Sequence, residues 1–341
     1  MSHAVFVDWL TATQYHPNGG LPVIVGGLNV FYDARGIART ERSCATPVFG
    51  SFDTTVRIKC DGFRVSVSGN VGRFGRQDNL FNLDWKGTQR AANRILTSNG
   101  LPPFTGSGFV SDGAGLAEAP RPDEVYLGAK VSRLDVTANF AAGSDAQARS
   151  VIRWIGTQAV SRVKRGQVGD ESVWWANSRY MFKAYRKGPE LLTHGLNTDE
   201  ASYQYAFRQG LVRVEIELKR RLLSELKMTD WDEISQEKIE AAYQEQTEIL
   251  RRVDRSDEPD ILAAIPSRSR AYAAAWLRGE DLSCLVSQAT LYRHAKILKE
   301  YGLDVFQPRN VVAFPSRVTV IELKPLEVPD WYDLQPMLKV V

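Results

Sequence analysis

Alternation with a period of two runs through three stretches of this chain and sorts their side chains into opposed sets. In residues 131–139, Leu134, Val136 and Ala138 share one side, and Arg133, Asp135, Thr137 and Asn139 the other. In residues 211–219, Val212, Val214, Ile216 and Leu218 oppose Arg213, Glu215, Glu217 and Lys219. Residues 181–187 bring Lys183, Tyr185 and Lys187 to a single face. Further strands are predicted over 4–11, 21–32, 54–60, 63–68 and 171–175. Asp61-Gly62, between two alternating runs, is a hairpin signal, and Ala176-Asn177-Ser178 a second turn.

Helical spacing governs residues 84–98, with Trp85, Ala92, Ile95 and Leu96 in one stripe ahead of Gly100-Leu101-Pro102-Pro103. A second helix is predicted over 144–161, where Ser144 and Gln147 form a capping box before Ala148, Val151, Ile152, Ile155 and Ala159. Residues 105–122, rich in Gly, Ser and Ala, should be a loop, and a charged helical region should run from 220 to about 253. After residue 260 the pattern becomes short helices, 267–277, 281–286 and 288–301, the last between Ser287 as N-cap and Gly302 as C-cap. That last helix sets Arg293 and Lys296 beside Leu291, Ala295 and Leu298, as a helix-turn-helix that contacts DNA would, and as any solvated helix face would too. The order of elements predicts an α+β fold: an antiparallel sheet with helices packed on one face, followed by a smaller helical C-terminal domain. The expected division is 1–225, 226–311 and a tail, 312–341, that packs back on the core.

With 341 residues, 43% of them hydrophobic, the chain can bury a sizeable core and should hold about two domains. Its charge of +3, from 43 basic and 40 acidic residues, is too balanced to identify a nucleic-acid partner by itself. Cys44, Cys60 and Cys284 fit no disulfide or zinc spacing, and all three are expected to be packing residues in a reducing cytoplasm. No apolar run is long enough to span a membrane, and residues 1–10 do not resemble an export signal. The four histidines stand at no metal-ligand spacing. Gly69–Gly75 lacks the Walker lysine, and no Gly-x-Ser-x-Gly elbow exists.

If the three alternating strands share a sheet, its non-core face gathers carboxylates, basic residues and a tyrosine. Asp135 and Glu215 supply the hard oxygen ligands that Mg²⁺ or Mn²⁺ takes, and Lys183 and Lys187 can stabilise phosphoryl charge beside Tyr185. Such a face suits phosphodiester transesterification; an antiparallel sheet with one solvated face would present the same residues. Arg73 and Arg76, in a Gly-rich stretch, are candidate DNA-backbone contacts, and Trp85, Trp174, Trp175 and Phe74 are core or base-stacking residues. Arg133 and Arg213 either bind the scissile phosphate or pair with Asp135 and Glu215.

Several ordered blocks resemble the filamentous-phage replication initiators of the gene II/X family. They are Gly69-Asn70, Asp78-Asn79-Leu80-Phe81, Val131-Ser132-Arg133-Leu134-Asp135-Val136-Thr137, Lys183-Ala184-Tyr185-Arg186-Lys187-Gly188-Pro189-Glu190-Leu191, Gly210-Leu211-Val212-Arg213-Val214-Glu215 and Pro329-Asp330-Trp331-Tyr332-Asp333, with Leu338-Lys339-Val340-Val341 closing the chain. The resemblance implies a nicking domain over 1–225 that cuts the plus strand of double-stranded origin DNA. It implies Tyr185 as the nucleophile joined to the 5′ phosphate, a divalent cation on Asp135 and Glu215, and later reclosure of the displaced single strand. It also implies work beside a host helicase, polymerase and single-strand binding protein. Related nucleases often use a His-hydrophobic-His pair, which this sequence lacks. Asp78 is then the candidate third ligand, with Asp8 a lesser one, and Tyr180 is expected to face away from Tyr185. A non-catalytic DNA-binding regulator built on the C-terminal helices is the rival expectation.

Overall fold

The computed structural model describes residues 4–106, 127–158, 160–251, 265–278, 280–301, 303, 305–306 and 325–334. Most of the predicted loop 105–122, Ala159 and Gly302 of the predicted helices, and the closing block 338–341 lie outside these residues.

Twelve strands are described: β1 (Val5–Tyr15), β2 (Val23–Ile24), β3 (Leu28–Tyr32), β4 (Ala38–Ser43), β5 (Thr46–Phe49), β6 (Thr55–Asp61), β7 (Arg64–Gly69), β8 (Lys130–Ala141), β9 (Lys164–Val168), β10 (Ser172–Ala176), β11 (Tyr180–Arg186) and β12 (Leu211–Lys219). Ten form one antiparallel sheet in the order β2-β6-β7-β1-β8-β12-β11-β10-β9, with β5 also on β6. β3 and β4 make a separate ribbon. The hairpin between β6 and β7 turns where the sequence predicts it. Gly62 takes a φ of 94°, and the Asp61 side chain accepts from the backbone N–H groups of Phe63 and Arg64.

One face of the sheet carries the core. Val56, Ile58 and Cys60 of β6 line up with Val65 and Val67 of β7, Leu10 and Ala12 of β1, Leu134, Val136 and Ala138 of β8, and Val212 to Leu218 at alternate positions of β12. Helices α1 (Trp85–Ser98), α2 (Asp145–Thr157), α5 (Arg220–Glu225) and α6 (Gln236–Gln246) add residues to the same cluster. Asp84 caps α1 and Ser144 caps α2, each accepting from the N–H three residues on. Trp175 stacks on Phe182 at 3.8 Å, and Trp85 meets Trp231 at 5.1 Å, so Trp85 and Trp175 are core residues. Truncating such an aromatic costs about 3–5 kcal/mol.

The α+β architecture predicted from the pattern is the one observed, with an addition. α3 (Lys187–Thr193) and α4 (Ala201–Gln209) join the second face, where Leu191, Leu196, Ala206 and Leu211 pack with Phe6, Leu80 and Phe81. Residues 325–334 pack on this cluster through Leu326, Val328, Tyr332 and Leu334. Beyond α7 (Glu248–Arg251), a third cluster joins Ile265, α8 (Ser267–Arg278), a 3-10 turn (Leu282–Cys284), α9 (Gln288–Glu300) and Leu303. The boundary expected at 226 does not divide the packing, because Trp231, Ile234 and α6 belong to the sheet's own core. Cys60 is buried, but Cys284 is exposed and is no packing residue.

Candidate active site

Register fixes which polar side chains meet. Across β8 and β12 the pairs are Asn139 with Arg213, Thr137 with Glu215, Asp135 with Glu217 and Arg133 with Lys219. Across β12 and β11, Tyr185 pairs with Arg213 and Lys183 with Glu215. On the other side of β8, Trp9 stands opposite Asp135, and a register shift between Val7 and Trp9 leaves Asp8 in a bulge. The tyrosine and the two strand carboxylates predicted to share a face therefore do share one.

Tyr185 lies at its centre. Its hydroxyl donates to Glu215 Oε1 at 2.5 Å, with Lys183 Nζ 4.4 Å and Lys187 Nζ 5.9 Å from its ring centroid. Burial pushes the phenol above its ordinary range, and the Glu215 charge adds to that. Glu215 is itself shifted upward by burial and by Asp8. A neutral phenol held against a proton-hungry carboxylate is a donor paired with its base.

Asp135 is gripped by Arg133, whose Nε and Nη2 donate to its two oxygens at 2.8 and 2.7 Å, and Arg133 also reaches Glu217 at 3.3 Å. Of the two roles open to Arg133, pairing with Asp135 is the one observed. Burial nonetheless pushes the Asp135 carboxyl up to about 7; Arg133 opposes the shift, and Glu217 and Glu215 add to it. Between these acids Thr137 Oγ1 is buried without a hydrogen-bond partner.

Several predicted residues take other places. Arg213, expected at DNA or on Glu215, is fully buried. It donates to Asn139 Oδ1, Asp8 Oδ2 and the carbonyls of Asn79 and Leu80, so no donor face is left for a phosphate. Arg76 is buried too, bonded to the Gly72 and Phe81 carbonyls and to Tyr332 Oη, and it is not a DNA contact. Arg73 is half-buried, and its guanidinium makes a long bond to the Gln77 carbonyl. Arg293 and Lys296 are exposed on α9.

Lys187 is not the last residue of a strand but the first of α3, fully buried. It donates to Asn79 Oδ1 at 2.8 Å and Glu190 Oε2 at 2.5 Å, and burial together with Arg213 lowers it to about 8. The Asp78 carboxylate, the candidate third ligand, accepts from Leu80 N, Ser202 Oγ and Tyr332 Oη, and no metal-holding group among the described residues includes it. Tyr180 packs against the core, as alternation predicts.

Sequence reasoning ranks Asp8 low, and it proves central. Its carboxylate accepts from Asn70, Asn82 and Arg213. Only glycine fits at 72, where an added Cβ would lie 2.0 Å from Asn82 Oδ1. The Gly69-Asn70 block held the signal, since it brings Asn70 onto Asp8.

Among the described residues no cluster of three or more acidic, His or Cys side chains is arranged to hold a metal ion. Asp135 and Glu215 are hard oxygen donors of the kind that hold Mg²⁺ with water and substrate phosphate, and both Asp135 oxygens are engaged by Arg133. Burial is the main cause of both upward shifts, and it is opposed by Arg133 at Asp135 and by Arg213 and Lys183 at Glu215.

The fold is an antiparallel α+β sheet with a buried tyrosine-carboxylate pair on its second face. Two family models match this chain, both of the replication-associated protein made from phage gene II: its N-terminal region over residues 124–246, and its C-terminal region over residues 264–338. Together they span more than half of the sequence, and the chain belongs to the filamentous-phage gene II family of replication initiators. The gene II replication-associated protein of Escherichia phage If1 is 25% identical, with 84% of this chain and 99% of that protein covered. That of Enterobacteria phage I2-2 is 24% identical, with 96% of each covered. A solved rolling-circle replication initiator from Geobacillus stearothermophilus shares 14% identity over 66% of this chain and 78% of that one, at a TM-score of 0.26. No helix among the described residues is long and apolar enough to cross a membrane.

Proposed function

We propose that this protein initiates rolling-circle replication by nicking the plus strand of a double-stranded phage origin, with Tyr185 as nucleophile. The observation that carries the proposal is the Tyr185 hydroxyl bonded to Glu215 with Lys183 over its ring. Tyr185 Oη attacks the phosphorus, Glu215 Oε1 takes the phenolic proton, and the 3′ oxygen leaves as the phosphotyrosine bond forms. Lys183 holds the charge that develops on the phosphoryl oxygens, and Lys187, near 8, tunes the pocket from behind. Mg²⁺ or Mn²⁺, held by Asp135 and Glu215, would polarise the scissile phosphate. Bond energy kept in the phosphotyrosine link allows reclosure of the displaced strand without a nucleotide. With no Walker motif in the chain, unwinding and synthesis fall to a host helicase, polymerase and single-strand binding protein in the bacterial cytoplasm. The sheet through α6 forms the nicking unit, and α8 to α9 form a DNA-binding unit presenting Arg293 and Lys296.

Tyr185 is only 5% exposed, so DNA must draw the phenol out or loosen its cover. That burial also favours a second reading, a non-catalytic DNA-binding regulator in which Tyr185 and Glu215 are a structural pair. Supercoiled plasmid carrying the cognate origin, incubated with Mg²⁺ or chelator and resolved on a denaturing gel, separates the two. We expect metal-dependent open circles with protein on one 5′ end, absent in Tyr185→Phe. An adduct that survives Tyr185→Phe refutes the nucleophile; tight binding with no strand break under either condition leaves the regulator.

A further inference from the structure

Beyond the acidic centre the second face of the sheet continues across β1, β7, β6 and β5, and there an open cleft of about 670 Å³ is lined by Trp9, Pro47, Phe49, Thr55, Arg57 and Ser68. Phe49 is 75% exposed, and Thr55 and Arg57 are exposed as well. Val56 and Ile58, on the opposite pleat, are in the core, so the cleft is the uncovered side of the same strands. None of its lining residues is a carboxylate. The Arg57 side chain makes no ion pair or hydrogen bond among the described residues, although its backbone is paired within the sheet. The cleft is continuous with the proposed active site, because Trp9 faces Asp135 across the β1–β8 pairing and Arg133 stacks over the Trp9 ring at 5.0 Å.

We propose that this cleft binds unpaired DNA beside the scissile phosphate, with bases stacked on Phe49 and Trp9 and a backbone phosphate on Arg57. The inference rests on the nicking function and specifies where its substrate lies. Aromatic faces flanked by a free guanidinium and hydroxyls match the chemistry of single-stranded nucleic acid, which offers a π-face on every base and a charge on every phosphate. A duplex hides those faces in its stack, so the strands must be parted for the cleft to fill. The volume suits groups of nucleobase size.

The test measures binding of a fluorescent oligothymidylate and of a duplex of equal length to the full chain, in chelator so that nothing is cut. Phe49→Ala and Arg57→Ala alter exposed side chains and should leave the melting temperature unchanged. Each should weaken oligothymidylate binding, Phe49→Ala by about tenfold. Arg57→Ala should also reduce the slope of log affinity against log salt by about 0.7. Duplex affinity should stay within about twofold, a flat response that stacking predicts. The quenching of tryptophan fluorescence by oligothymidylate should shrink in Trp9→Phe. Equal loss for duplex and single strand would overturn the proposal in favour of a backbone grip. Unchanged oligothymidylate affinity would overturn it while leaving Tyr185 untouched. If the cleft variants lose single-strand affinity but Tyr185→Phe still forms the adduct, the cleft stands and the nucleophile falls.

Discussion

The two ends of the sheet's second face carry similar residue types and treat them in opposite ways. At one end Arg213, Lys187 and Tyr185 are buried on the face where α3, α4 and residues 325–334 pack, and each basic group is bonded to partners of its own. At the other, Arg57, Phe49 and Trp9 lie open, with no helix over them among the described residues. A charge sealed from water is stable only with its partners in place, so the covered end is rigid and pre-organised. A charge left in water keeps its donors available, so the open end can receive a polyanion. On the proposed function, the covered end would hold Tyr185 and the open end would receive DNA.

The largest effect that sharpens this contrast is expected at Arg213. Arg213→Met strips Asp8 of its cation and orphans the Asn79 and Leu80 carbonyls, and should cost about 3–5 kcal/mol in thermal or denaturant unfolding. Arg57→Ala should change stability by less than about 0.5 kcal/mol. Equal losses at the two positions would break the comparison.

Next come metal and pH. The Asp135 carboxyl titrates at about 7 in the folded protein against an ordinary value of 3.8, so the fold favours its protonated form. That contribution is fully present below 3.8 and is lost as pH rises through about 7. Lys187 titrates at about 8 against 10.5, so its contribution is present above 10.5 and is lost as pH falls through about 8. In chelator, raising the pH from about 5 to about 7 should therefore destabilise the protein, and Asp135→Asn should flatten that fall. At a pH of about 7.5, Mg²⁺ at about a hundred times its Kd should restore about 2.7 kcal/mol in the native chain and much less in Asp135→Asn, as followed by melting temperature.

A smaller effect belongs to Tyr332, whose hydroxyl donates to Asp78 and accepts from Arg76. Tyr332→Phe should cost about 1–3 kcal/mol in unfolding and slow nicking through the loop behind Arg213 and Lys187. Smallest in stability are Arg293→Ala and Lys296→Ala on the exposed face of α9. Each should leave the melting temperature within about 1 °C. Each should also weaken duplex binding and lower its salt slope by about 1, read by titrating salt.

Period-two patterning made β8, β11 and β12 legible almost to the residue, and with them the joint placement of Asp135, Glu215, Lys183 and Tyr185. It tells which face a side chain takes, but not whether that face is covered. Arg213 is buried among Phe6, Asp8, Asn79, Leu80 and Asn139, distant in sequence and joined only in the fold. Arg213 and Arg76 therefore read as surface contacts when they are interior struts. Asp78 and Asp8 exchanged rank for a similar reason: a bulge in β1 turns Asp8 toward Arg213, and bulges leave little trace in alternation. β4, β5 and β9 went unread because their segments are short and lack a clean period, and the predicted strand 21–32 divides into β2 and β3.

The hydroxyl of Tyr332 has a consequence for timing. The loop that steadies Arg213 and Lys187 is braced from behind by a residue that emerges from the ribosome 147 positions after Tyr185. A nascent chain can build its sheet and still lack that brace, because the N-terminal parts of a protein fold while synthesis continues. A product that stops short of Tyr332 would then carry Tyr185 in an unsteadied pocket. On the proposed function, the steadying of Tyr185 would then follow the formation of the sheet that carries it.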